Sequence, residues 1–178
     1  MSALTAAVAI VGALCVLNLL LTFGVVRRLR EHTSILNTGA LENRPVIGLP
    51  IGDRPSPFTS VTIAGEQVSD STPFQVVAFF EASCSTCPER VLPFIQYLGE
   101  HHLPRQRVLA VVGNADSDPV PYLNRLAEVA LVCEGPDTAR IITAYRVRGF
   151  PAFCVLDADG RLVASNYDPG SLPQPVAL

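Results

Sequence analysis

The chain contains no lysine and no tryptophan, and only one methionine. All thirteen basic residues are therefore arginine, which alongside abundant Ala, Val, Pro and Gly reads as the coding bias of a GC-rich genome. Nor is there a surplus of positive charge. A formal net charge of -3 removes the broad basic face that a nucleic-acid partner requires, so none is expected. No internal repeat and no glycine-rich phosphate loop is present. The single C-x-x-C has no second C-x-x-C and no H-x(3–5)-H to complete four zinc ligands, so no metal is expected.

What the chain does have is Glu81-Ala82-Ser83-Cys84-Ser85-Thr86-Cys87-Pro88. Before it runs Phe74 to Phe80, short, apolar and rich in β-branched and aromatic residues, which predicts a buried strand. After it, Val91, Leu92, Ile95 and Leu98 recur at helical spacing within Glu89 to His102. The two thiols thus fall where a strand hands over to a helix. Unpaired N–H groups and the positive end of the helix dipole there favour a thiolate at Cys84. Two intervening residues place Cys87 one turn on, close enough to close a disulfide with it.

Apolar content of 49% is high, and the excess is local. Residues 3–26 carry no charge over 24 positions, enough at ~1.5 Å per residue to cross a ~30 Å hydrocarbon layer. The stretch lacks the basic start and short apolar core of a cleaved signal peptide and ends on Arg27, Arg28 and Arg30. An uncleaved single-pass anchor is expected. Those arginines would place the following domain in the cytoplasm by the positive-inside rule. A C-x-x-C domain on a stalk makes more chemical sense outside, where disulfides persist. Both orientations stand on the residues alone. Residues 27–56, with Pro45, Pro50 and Pro55, read as a juxtamembrane linker that cannot continue a helix.

The globular part is expected over 57–166. Phe58–Ile63 and Gln67–Ser69 suggest a hairpin turning at Gly65. Arg107–Val112 reads as a second buried strand. A helix capped by Ser117 or Asp118, with Pro119 in its first turn, presents Leu123, Leu126 and Ala127 inward. Val129–Cys133 reads as a third strand, and Asp137 as the cap of a third helix through Tyr145. Phe153–Leu156 and Arg161–Ala164 form a closing hairpin across Asp157-Ala-Asp-Gly160. The order is α/β with its first strands parallel. Gly149-Phe150-Pro151 precedes a strand start, about 65 residues after the C-x-x-C, where a proline costs no ladder donor.

Taken together, Pro57-Phe58-Thr59, Gly65–Ser69, the Val76–Phe80 strand, Cys84-Ser-Thr-Cys87, Tyr145–Pro151 and Leu156–Arg161 resemble the bacterial membrane-anchored thioredoxin-like proteins of the TlpA and ResA type. The anchor followed by arginines is similar to the methylamine-utilisation accessory protein MauD. The resemblance covers about residues 45–165. It implies a thioredoxin-like fold, a central mixed sheet flanked by helices with an N-terminal β-hairpin, preceded by one transmembrane helix. It also implies Cys84 as attacking thiol, Cys87 as resolving thiol, and a cis Pro151 that turns the Phe150 backbone toward the cysteines to bind an extended substrate strand.

The chain departs from that family in several places. Ser83 stands where Trp is usual, and Ala78 where a buried carboxylate often assists proton transfer. Glu81 is the nearest acid, a candidate for proton handling against the ordinary reading of a solvated carboxylate. The helix proline falls one residue late, at Pro93, and should kink the helix. After Ala164 the closing helix is missing, leaving an irregular tail over 167–178 and an expected uncovered apolar face for a partner membrane protein or the juxtamembrane segment. In the family's sheet order Cys133 and Cys154 lie three strands apart, beyond disulfide reach, and read as buried and inert, as does Cys15 in the span. Peroxiredoxin chemistry would need Pro at Val77 and Thr or Ser at Glu81. Copper insertion of the Sco kind would need C-x-x-x-C.

The expected function is a membrane-tethered thiol–disulfide oxidoreductase exchanging electrons with client protein disulfides through the Cys84–Cys87 dithiol, without another cofactor. Its partners would be client thiols or disulfides and a membrane electron donor or acceptor, and its domain would face away from the cytoplasm. A non-catalytic scaffold or assembly factor, holding a membrane or secreted partner in the same groove, is the alternative.

Overall fold

The computed structural model describes residues 47–114 and 121–175, together with Val8 and Gly12 near the N-terminus. The chain divides into two units, Met1–Arg44 and Pro45–Leu178, and the description below is of the second. Among the described residues no helix is long and apolar enough to cross a membrane. The anchor expected over 3–26 with its Cys15, and the 27–46 part of the linker, lie outside the described residues apart from Val8 and Gly12.

Five strands form one mixed sheet, and two more form a separate hairpin. The hairpin is β1 (Thr59–Val61) and β2 (Gln67–Ser69), antiparallel, with Gly65 at φ +83° where a side chain would be strained. The sheet comprises β3 (Val76–Glu81), β4 (Val108–Gly113), β5 (Leu131–Glu134), β6 (Ala152–Leu156) and β7 (Leu162–Asn166), in the order β5-β4-β3-β6-β7. β3, β4 and β5 run parallel; β6 and β7 return antiparallel. β3 and β4 are apolar at nearly every position because helices cover both of their faces.

The period of two along each strand divides the core. Val76, Ala78 and Phe80 face one side with Ala110, Val112, Phe153 and Val155, under α1 (Cys87–Glu100) and α2 (Leu123–Val129). Val77 and Phe79 face the other with Leu109, Val111, Ala152 and Leu156, under α3 (Thr138–Ala144) and the hairpin. Each valine, leucine or phenylalanine so buried stabilises the fold by about 1.5–3 kcal/mol relative to exposure. Cys87 belongs to the first layer, Cys133 and Cys154 to the second, so the sheet itself separates them.

Several expectations change at the element ends. α1 begins at Cys87 and not at Glu89, which makes the second cysteine a helical residue, and it runs through Pro93. Residues 115–120, with the expected capping Ser117 or Asp118, lie outside the described residues; α2 has Tyr122 at its N-cap. Asp137 occupies the cap of α3 without a side-chain capping bond, and the Thr138 hydroxyl instead donates to Gly135 O at 2.6 Å.

Residues 47–56, assigned to the linker, pack as part of the domain. Ile47 and Leu49 are buried, and Ile47 bridges Val147. Gly52 and Asp53 exchange backbone hydrogen bonds with Leu162 at 2.8 and 2.9 Å, and Ser56 N–H donates to Ala144 O at 3.2 Å. Their prolines exclude helix, but the remaining N–H groups find partners along the domain edge.

A sheet face or edge is expected to lie uncovered after Ala164; beside α1 the chain's own tail packs in place of the missing helix. After β7 a short 3₁₀ turn, Pro169–Ser171, carries Leu172 into the layer under α1. The Tyr97 hydroxyl donates to Pro173 O at 2.7 Å, and Arg90 on α1 pairs with Asp168 at 3.1 Å. No closing helix is needed because one leucine and two polar anchors cover the face.

Candidate active site

Glu81 ends β3, and the loop that follows is tied down at once. Ala82 N–H donates to Gly113 O at 3.0 Å and Cys84 N–H to Glu81 O at 3.1 Å. Beneath the loop, Phe80 meets Phe94, Tyr122 and Phe153 at ring-centroid distances of 6.1, 5.7 and 5.6 Å. Those contacts join α1 to β3 and β6 through side chains as well as through the loop.

Cys84 and Cys87 are both free thiols, the first half-buried and the second fully buried. Thr86 stands at the N-cap of α1 but makes no capping bond with its side chain. Its hydroxyl lies 3.4 Å from Cys84 Sγ instead. Burial works against charge on Cys84, yet hydrogen bonds from the Cys87 thiol, the Thr86 hydroxyl and the backbone N–H groups of Thr86 and Cys87 outweigh it. The Cys84 thiol is held below its ordinary range. Cys87 goes the other way. Burial, followed by its interaction with Cys84, pushes it up to about 12. A shared proton between the two sulfurs suits this arrangement: the exposed one carries the charge and the buried one keeps the hydrogen.

Phe150 and Pro151 come from the far end of the chain. The Phe150–Pro151 peptide is cis, and Phe150 O lies 3.6 Å from Cys84 Sγ, where the thiol donates to it. The structure therefore gathers Cys84, Cys87, Phe150 and Pro151 at one place. Glu81 is beside them, but its carboxylate accepts from Asn114 Nδ2 at 2.6 Å on the exposed side. Ala78 is buried in the layer that holds Cys87, so no carboxylate stands at that point of β3.

Sequence reasoning missed Tyr122. Its hydroxyl donates to Glu81 O at 3.3 Å, the same oxygen that receives Cys84 N–H, and its ring packs on Phe80. Burial, followed by the charges of Cys87, Cys84 and Glu81, pushes its phenol well above the usual range, so it is a neutral donor. An aromatic just before an apolar helix face was its only trace in the sequence.

Cys133 and Cys154 are buried behind the sheet, and burial raises both thiols, that of Cys154 strongly. Among the described residues no three His, Cys, Asp or Glu side chains gather as a metal site. Cavities of about 610 and 520 Å³ lie between the hairpin and α3, and neither includes a cysteine. The dithiol instead meets solvent at the rim of the strand–helix loop.

A strand–dithiol–helix unit facing a cis-proline loop across a β5-β4-β3-β6-β7 sheet is a thioredoxin-like fold. No protein-family model matches the chain, and no curated protein matches it. Solved structures do. The thioredoxin domain of a thiol-disulfide oxidoreductase from Bacteroides vulgatus superposes with TM-score 0.56 at 18% identity, covering 70% of this chain and 94% of that one. A thio-disulfide isomerase from Thermus thermophilus gives 0.50 at 15%, covering 66% and 86%. ScoI from Arabidopsis thaliana, solved with copper bound, gives 0.50 at 14%, covering 67% and 92%. At these identities the likeness establishes the fold.

Proposed function

We propose that the protein is a thiol–disulfide oxidoreductase, tethered by its N-terminal segment to a membrane and acting on protein clients on the extracytoplasmic side. The observation that carries this reading is the inequality of the two thiols. Cys84 is half-exposed with a lowered pKa, and Cys87 is buried and held protonated. A thiol partly open to solvent at a surface rim, beside the cis-proline loop, is accessible to a macromolecular client.

The Cys84 thiolate attacks one sulfur of a client disulfide; the client S–S bond breaks as the Cys84–client bond forms. The client's other sulfur leaves as a thiolate and takes a proton from water. Cys87 then loses its proton and attacks Cys84 Sγ, which releases the second client thiolate and leaves a Cys84–Cys87 disulfide. Two electrons pass to the client, and a membrane dithiol donor restores the reduced pair. The same steps in reverse oxidise a client. Phe150 and Pro151 line the thiol and bind the client backbone. Glu81 is the acid available to accept the Cys87 proton, since Ala78 supplies none.

The test is trapping in the native membrane. Cys87→Ser retains attack and lacks release, so clients should accumulate on Cys84 as reductant-sensitive bands on a non-reducing gel. Cys84→Ser should form none. A Cys84→Ser, Cys87→Ser double variant that still supports client maturation would instead establish a non-catalytic scaffold.

A further inference from the structure

Gly149 is not glycine for the sake of its backbone, because its φ lies outside the left-handed region. What crowds a side chain there is Tyr167. A Cβ on Gly149 would come within 3.2 Å of Tyr167 Oη and 3.5 Å of its Cε1. Tyr167 leaves the end of β7, is 47% exposed, and rests its ring tip over the residue that precedes Phe150. Phe150 in turn carries the carbonyl that meets Cys84 Sγ at 3.6 Å.

The backbone on either side of Tyr167 is held. Asp168 N–H donates to Asn166 Oδ1 at 3.0 Å, closing a turn around Tyr167, and the Asp168 carboxylate pairs with Arg90 at 3.1 Å. Arg90 lies one helical turn beyond Cys87. The aromatic side chain thus rests on the cis-proline loop, next in sequence to the residue that pairs with the redox helix, with half its surface open. Adding chain geometry to these two contacts puts the phenol no more than about 15 Å from Cys84 Sγ. An extended client rises ~3.3 Å per residue, so a side chain up to about four positions from the client cysteine reaches the ring.

We propose that Tyr167, seated on Gly149, is a client-binding residue of the dithiol site: its ring takes an apolar or flat side chain of an extended polypeptide near the client disulfide. The inference rests on the oxidoreductase reading. A tyrosine offers a large contact area at little entropic cost, together with a hydroxyl at the rim. Gly149 and Tyr167 act as a unit, the first leaving room for the second. A small disulfide, which has no polypeptide beyond its sulfurs, bypasses the ring.

The full-length chain in detergent is assayed on insulin as polypeptide disulfide, with dithiothreitol as reductant and its direct reaction subtracted, and on 5,5′-dithiobis(2-nitrobenzoate) as small disulfide, in a single turnover of the pre-reduced chain after dithiothreitol has been removed. Tyr167→Ala should lower kcat/KM for insulin about fivefold or more through KM, with the small disulfide unchanged. Tyr167→Phe should retain most of the insulin activity. Gly149→Ala, which only nudges the ring tip, should shift KM the same way by less. An unchanged insulin KM in Tyr167→Ala, or an equal loss on both substrates, overturns the role of Tyr167 and leaves the oxidoreductase reading intact. Should the unsubstituted chain react no faster than Cys84→Ser on either substrate, the oxidoreductase reading fails, and this one with it.

Discussion

Cys84 Sγ and Phe150 O lie 3.6 Å apart although 66 positions separate them in the chain. The thiol donates to that oxygen, so this contact favours the protonated form. Burial also opposes charge, but the Cys87 thiol, the Thr86 hydroxyl and the amides of Thr86 and Cys87 favour the thiolate, and the balance falls on their side. Ionising Cys84 therefore gives up its contact with Phe150, freeing that carbonyl at the moment the sulfur becomes reactive.

Alkylation should read the inequality of the thiols directly. With iodoacetamide at pH 7.5, Cys84 should be modified first, its rate rising with pH to a plateau set by a pKa below the usual thiol value. Cys87 should stay unreactive until the pH nears about 12. The sign follows from the thiolate being the nucleophile: a lowered pKa moves the rise to lower pH, a raised one to higher pH. Cys133 and Cys154 should label only after unfolding. Peptide mapping that finds Cys87 modified first would reverse the assigned roles.

Tyr122→Phe removes the hydrogen bond to Glu81 O while keeping the ring on Phe80. A loss of about 0.5–1.5 kcal/mol in urea denaturation, with the slope unchanged, is expected. Tyr122→Ala also removes the ring and should cost about 3–5 kcal/mol. Equal losses from the two would mean that the hydroxyl, not the packing, holds the loop.

The tail should be a structural part of the domain. Leu172→Ala should destabilise by about 2 kcal/mol, the low end for leucine because its site is at the edge of the core. A domain cut to Pro45–Asp168 loses Leu172 and the Pro173 acceptor of Tyr97, and should bind a hydrophobic dye that the domain Pro45–Leu178 does not. Arg90→Ala should cost less than about 1 kcal/mol, as expected of a half-exposed ion pair. Dye binding by the domain Pro45–Leu178 would show that the face beside α1 is open after all.

Orientation is tested with a reporter at the C-terminus. Alkaline phosphatase fused after Leu178 should be active and a cytoplasmic reporter silent, despite Arg27, Arg28 and Arg30. The opposite pattern would place the dithiol in the cytoplasm.

The local features of the site were legible in the chain. Val76–Phe80 before Cys84, and Val91 to Leu98 after Cys87, place the dithiol at a strand–helix junction, because strand and helix periodicities are properties of neighbouring residues. Alternation along β5 and β6 puts Cys133 and Cys154 on the face away from Cys87, since a side-chain period of two leaves no freedom once one face is buried. Tertiary structure decided the rest. Tyr122 reaches Glu81 across 41 positions, Tyr97 reaches Pro173 across 76, and Tyr167 settles on Gly149, none by a pattern that local spacing carries. The segment 47–56 and the tail read as irregular because prolines erase periodicity. Yet their N–H groups and apolar side chains must still be satisfied, and only the closed sheet shows where.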